Sequence, residues 1–126
     1  MNKKKILIIE DDEILSKTLQ EFLSADRFEV TIASNGEMGI KMAGEKKPDI
    51  IVLDIILPKK DGYEVIKELK KESGNTKDIP IILLTNLGSF ADVEKALKLG
   101  ATTYLTKTDY SMEDIAKKIK ETLNAE

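Results

Sequence analysis

Three uninterrupted aliphatic runs limit what this chain can fold into more than any other feature: Ile6-Leu7-Ile8-Ile9, Ile50-Ile51-Val52-Leu53 and Ile81-Ile82-Leu83-Leu84. Each is too short for a helix and lacks the alternation of a strand with one wet face. Such runs suit strands buried on both sides of a parallel sheet. Each stops at a polar group: Glu10 and Asp11 after the first, Asp54 after the second, Thr85 after the third. Two weaker segments, Glu29–Ser34 and Thr103–Thr106, read as further strands, the last followed by Lys107.

The intervening stretches carry apolar residues at helical spacing. Behind Asp11, Asp12 and Glu13 come Leu15, Leu19, Phe22 and Leu23. Asn35-Gly36 opens a second helix with Met38, Ile40, Met42 and Ala43, and Lys46-Lys47-Pro48 ends it. A third runs from Gly62 to about Ser73 on Val65, Ile66 and Leu69, and Gly74-Asn75-Thr76 breaks it. Phe90–Leu99 predicts a fourth, with Phe90, Val93 and Leu97 inward and Gly100 as its C-terminal cap. Ser111 and Asp114 cap a fifth, whose seam is Met112, Ile115, Ile119 and Leu123.

Five strands alternating with five helices predict an α/β fold of the flavodoxin-like, doubly wound kind. It is a (βα)5 three-layer sandwich on a five-stranded parallel sheet with right-handed crossovers, for which the strand order 2-1-3-4-5 is one of the two common solutions. That order sets the first and third strands side by side at the switch point, where such sheets bind ligands.

Composition narrows the chemistry. The chain has no cysteine and no histidine, so disulfides, thiolate metal sites and histidine-based triads are excluded. Charge is dense at 34% but nearly balanced at −3, which gives no general attraction to nucleic acid or anionic membrane. The basic run Lys3-Lys4-Lys5 and the pair Lys70-Lys71 read as solvated ends of elements. No apolar run approaches the ~20 residues that span a bilayer, and the start is no signal peptide. The expectation is one cytoplasmic domain over residues 1–126 with no fused effector domain, acting without direct nucleic-acid or membrane contact.

In a parallel sheet the polar strand ends share one edge. Singly, each has a plain explanation: acids after a strand favour the first turn of the next helix, which accounts for Asp12 and Glu13. Together, Glu10, Asp11 and Asp54 form an all-oxygen cluster that must repel itself or take up a hard cation, for which Mg2+ fits best. A hydroxyl and a lysine facing that metal, Thr85 and Lys107, suit a phosphoryl group, and a carboxylate can itself accept one.

These residues resemble the receiver domains of two-component response regulators over nearly the whole chain. The resemblance rests on IIEDDE at Ile8–Glu13, DIIVLDIILPKKDG at Asp49–Gly62, LLT at Leu83–Thr85 and GATTYLTK at Gly100–Lys107. A chemotaxis member of that family has the strand order given above. The resemblance implies that Asp54 is the phosphoacceptor and that Glu10 and Asp11 hold Mg2+, or Mn2+ in its place, with the backbone carbonyl of Ile56. It implies that Thr85 and Lys107 contact the phosphoryl oxygens, and that Thr85 and Tyr104 switch on activation. An aromatic on a short edge strand is the plainer account of Tyr104. The implied partners are a sensor histidine kinase or phosphotransfer protein and a downstream protein target, met through the fourth helix, fifth strand and last helix. A phosphorylation-dependent dimer also belongs to the family's repertoire. The chain is then no enzyme beyond self-catalysed phosphotransfer and autodephosphorylation.

Three positions depart from the family pattern. Thr108 follows Lys107 where proline is usual, Asn86 replaces a small residue after Thr85, and Leu87 offers no polar group to an attacking water. The main alternative is an aspartyl-nucleophile phosphohydrolase, which needs a second acid two residues after Asp54, where this chain has Ile56. A flavin or nucleotide binder on the same fold needs a Gly- or Ser/Thr-rich loop where this chain has Glu10–Glu13.

Overall fold

The computed structural model describes residues 3–54, 61–71, 74–85, 90–106 and 111–124, with only the backbone described for Thr85 and Phe90. In chain order the elements are β1 (Lys5–Ile9), α1 (Glu13–Ala25), β2 (Glu29–Ala33), α2 (Gly36–Lys46), β3 (Ile50–Leu53), α3 (Gly62–Leu69), β4 (Ile81–Thr85), α4 (Phe90–Leu99), β5 (Thr103–Thr106) and α5 (Met112–Asn124). All sheet pairings are parallel, in the order β2-β1-β3-β4-β5.

The aliphatic runs show why no alternation was visible in them. Side chains alternate between faces along a strand, and both faces here are dry. Leu7, Ile9, Ile51, Leu53, Ile81 and Leu83 enter one core with Ala43 of α2, Val65 and Ile66 of α3 and Ala96 of α4. Ile6, Ile8, Ile50, Val52, Ile82 and Leu84 enter the other, with Leu19 and Leu23 of α1 and Ile115 and Ile119 of α5.

Side-chain caps fix where helices begin, close to the strand ends. Asp12 Oδ1 accepts the Leu15 amide at 3.1 Å, Asn35 Oδ1 the Met38 amide at 2.9 Å, and Asp61 Oδ1 the Glu64 amide at 3.1 Å. Ser111 and Asp114 form the expected reciprocal box, each amide donating to the other's side chain at 3.2 Å. Asp12 is thus committed to capping α1.

Helix ends hold two departures from expectation. α3 stops at Leu69, short of the expected Ser73, which lies outside the described residues. Its last carbonyl is taken by the buried Thr76 hydroxyl, which donates to Leu69 O at 2.8 Å. Lys70 is not a solvated end. Its Nζ donates to the carbonyls of Lys77 at 2.9 Å and Ile79 at 2.6 Å, tying the approach to β4 onto α3. Lys71 remains exposed, paired with Glu68 at 3.0 Å. On α4 the buried positions are Val93 and Ala96; Leu97 is exposed, because it is Ala96, one position earlier, that enters the core above the sheet. Phe90's side chain lies outside the described residues.

Gly100 caps α4 as expected, at φ +124°, with its amide on Leu97 O and the next amide on Ala96 O. α1 ends with the same bonding pattern, but with Arg27 at φ 69° in the glycine position. Arg27 is exposed, so Arg27→Gly removes left-handed strain without losing packing. Urea denaturation should show a gain of about 0.5–1 kcal/mol, the strain relieved less the added freedom of the unfolded chain.

Gly39 lets α2 settle on β1. A Cβ there would lie 2.5 Å from Ile9 Cδ1 and 2.8 Å from Cγ1. Alanine's better helix propensity, worth about 1 kcal/mol, partly offsets that clash. Gly39→Val has no such offset and should cost about 1–3 kcal/mol, read as a lower urea midpoint at unchanged m-value.

Candidate functional site

The site is set by register. Ile9 of β1 pairs with Ala33 of β2 and Leu53 of β3, so the residues that follow leave the sheet at one level. The ladder runs one bond further: the Glu10 amide donates to Ala33 O at 3.0 Å and the Asp54 amide to Ile9 O at 3.1 Å. Glu10 and Asp54 are 3% and 7% exposed, whereas Asp11 is open to solvent. Glu10 Oε2 accepts the Asp12 amide at 3.1 Å, which aims the side chain across the turn.

The three expected acids come together. One carboxylate oxygen from each of Glu10, Asp11 and Asp54 lies within 4.8 Å of the others. At that spacing and an effective dielectric near 20, each ionised pair repels by ~3 kcal/mol. A dication, protons or neighbouring positive groups must offset this. Three carboxylates without nitrogen or sulfur ligands fit a hard, oxygen-seeking cation, which keeps its other positions for water or phosphate oxygens. The group can therefore hold a metal ion such as Mg2+.

Thr85 ends β4, directly beside β3. With Leu53 opposite Leu83, its backbone stands on the edge that carries Asp54. Thr106 pairs with Thr85 and ends β5, so the chain leaves for Lys107 from that edge as well. Lys107 and Ile56 themselves lie outside the described residues, as do Asn86, Leu87 and Thr108. Tyr104 pairs with Leu83 on the edge strand and is 41% exposed.

Two rim features escaped the sequence reading. Ile14 follows the acids in the first turn of α1 and is 81% exposed, off the Leu15–Leu19–Leu23 seam. Tyr63, in the first turn of α3, reaches α4: its hydroxyl lies 3.3 Å from Asp92 O and 3.4 Å from Asp92 Oδ1. Burial, and after it the Asp92 carboxylate, raises the phenol above its ordinary value. The only sequence signal was an aromatic directly after Asp61-Gly62.

The profile of the response regulator receiver domain family matches residues 6–120. A relative in Cyanophora paradoxa named "Probable transcriptional regulator ycf27" is 41% identical over 98% of this chain and 49% of its own. The alkaline phosphatase synthesis transcriptional regulatory protein PhoP of Bacillus subtilis is 39% identical over 93% of this chain and 47% of its own. The crystal structure of a two-component response regulator from Clostridium difficile superposes with a TM-score of 0.88, at 30% identity and 97% coverage of each chain. The chain spans about half the length of the curated relatives it matches. Those relatives are named as transcriptional regulators, which gives no support to the expectation of no nucleic-acid partner. Among the described residues no helix is long and apolar enough to cross a membrane. Receiver domains are signalling proteins that pair with histidine kinases and downstream effectors. Fold, strand-end acids and sequence agree over nearly the whole chain, and it belongs to the response regulator receiver domain family.

Proposed function

We propose that this domain accepts a phosphoryl group on Asp54 from the phosphohistidine of a sensor kinase or phosphotransfer protein, and that the modified domain then favours a different protein partner. One observation carries the reading: carboxylate oxygens of Glu10, Asp11 and Asp54 lie within 4.8 Å of one another at the ends of adjacent strands. No histidine is present, so this chain is the acceptor and never the phosphohistidine donor.

Asp11, Asp54 and the Ile56 carbonyl would hold Mg2+, with Glu10 acting through water. When bound, the cation lowers the repulsion between the acids and an incoming phosphate and stabilises charge on the transferring oxygens. The Asp54 carboxylate supplies the nucleophile. As its oxygen–phosphorus bond forms, the donor's phosphorus–nitrogen bond breaks and that electron pair leaves with the imidazole. The backbone of Asp54, directly after β3, is tied to Ile9 O, which fixes the carboxylate's position at the strand end. Thr85 and Lys107 would offer a hydroxyl donor and a positive charge to the phosphoryl oxygens.

The output follows from charge. The phosphoryl group adds about −1.5 to −2 charges. Thr85 and Lys107 would be drawn towards it, carrying the connections after β4 and β5 and turning Tyr104 inward from its exposed position. The face of α4, β5 and α5 would then change its partner preference, a shift that needs only a few kcal/mol between two pre-existing states.

Acetyl phosphate tests the chemistry without a partner. With Mg2+ the chain should gain up to one phosphate, labile to hydroxylamine as an acyl phosphate is, and chelation should abolish the gain. Metal-independent incorporation, or a hydroxylamine-stable phosphate, would contradict the proposal.

A further inference from the structure

We propose that Tyr63, Asp92 and Lys95 form a latch that holds the start of α4 against α3, and that the latch opens when the acidic site is filled. The coupling rests on the phosphoacceptor reading above; the latch itself rests on geometry. In chain order α3 is the next helix after Asp54, and α4 the next after Thr85. The two helices that Tyr63 joins are thus the elements that follow the site's two neighbouring strand ends.

The contact has two sides. The Tyr63 hydroxyl donates to Asp92, whose carbonyl and Oδ1 lie 3.3 and 3.4 Å away in the first turn of α4. One turn on, Lys95 covers the ring, its Nζ 4.2 Å from the centroid. A phenol is a donor at neutral pH, and burial beside the Asp92 carboxylate raises its proton affinity further.

Static packing is the plainer account of any such contact, and two observations go beyond it. Both oxygen–oxygen distances exceed the 2.5–3.0 Å of a well-made hydroxyl bond, so the contact is weak enough to open. Lys95 also lines an open surface cleft with Ala91, Glu94, Lys98 and Leu99, all of α4, so its ammonium has room to leave the ring. Val93 and Ala96 of α4 are buried, and Ala96 and Leu99 pack in the core that α3 also enters. The polar contact can therefore open at the start of α4 while the apolar packing further along the helix stays in place.

Tyr63→Phe keeps the ring under Lys95 and removes the hydroxyl alone. In the full chain, amide hydrogen exchange in α4 should speed up by about three- to tenfold, the range of one modest hydrogen bond, with β1 and β3 unchanged. By linkage, beryllofluoride with Mg2+ should bind tighter by a similar factor. Wild-type exchange rates in α4, or a general rise that includes the central strands, would overturn the latch. Faster α4 exchange with unaltered beryllofluoride affinity would overturn the coupling. Failure of the wild-type chain to bind beryllofluoride would overturn the phosphoacceptor reading and the coupling with it, while α4 exchange would still decide the latch.

Discussion

Asp54→Asn should reduce phosphate incorporation from acetyl phosphate to background. An amide oxygen is a poor nucleophile, and Glu10 and Asp11, although within 4.8 Å, belong to a different strand end. The substitution preserves shape, and the backbone bond from residue 54 to Ile9 O does not involve the side chain. Folding should therefore survive, with an unchanged far-UV spectrum and cooperative unfolding. Removing one of three clustered negative charges should also weaken Mg2+ binding. The phosphate readout separates the roles: loss of metal affinity alone would be rescued by excess Mg2+, and loss of the nucleophile would not. Intact-mass measurement at saturating Mg2+ decides between them.

Asp11→Asn should separate metal binding from the nucleophile. Asp11 is exposed and Asp54 buried, so Asp11 is the acid a hydrated cation meets first. A ligand that binds only the folded state stabilises it by about 2.7 kcal/mol at a hundred times its dissociation constant. Thermal unfolding of the wild type should rise with Mg2+ along that relation, and that of Asp11→Asn should barely move. Without divalent metal the order should reverse. The variant lacks part of the repulsion among the three acids, so its metal-free midpoint should lie slightly above the wild type's. A variant that loses metal-free stability would show that Asp11 instead makes a favourable contact in the empty site.

Much of the fold was legible because it follows from burial. Four-residue aliphatic runs without alternation can hardly be anything but strands covered on both faces, and the two cores divide those residues odd from even. Glu10, Asp11 and Asp54 were legible for a related reason: a parallel sheet sends every strand end to one edge, so polar residues at those ends meet there. What escaped depends on contacts distant in sequence or on backbone conformation. Arg27 takes a left-handed cap that no glycine or asparagine advertises. Lys70 looks like a solvated cation until the carbonyls of Lys77 and Ile79 are placed beside it. Leu97 fits the helical period yet faces outward, because small Ala96 is what the sheet accepts. Tyr63 and Asp92 are 29 residues apart and share no periodic pattern. The roles of Thr85, Lys107 and Ile56 rest on their match to the family motif and on the strand ends that lead to them.

The central claim is that one carboxylate, Asp54, takes the phosphoryl group. The most direct measurement is borohydride trapping of the protein treated with acetyl phosphate and Mg2+, followed by peptide mapping. Borohydride reduces an acyl phosphate to the alcohol, which marks the carbon that carried it. Conversion of Asp54 to homoserine, absent when the metal is chelated, is the predicted result. Reduction at Glu10 or Asp11, or a phosphate found on a hydroxyl side chain with Asp54 intact, would contradict it.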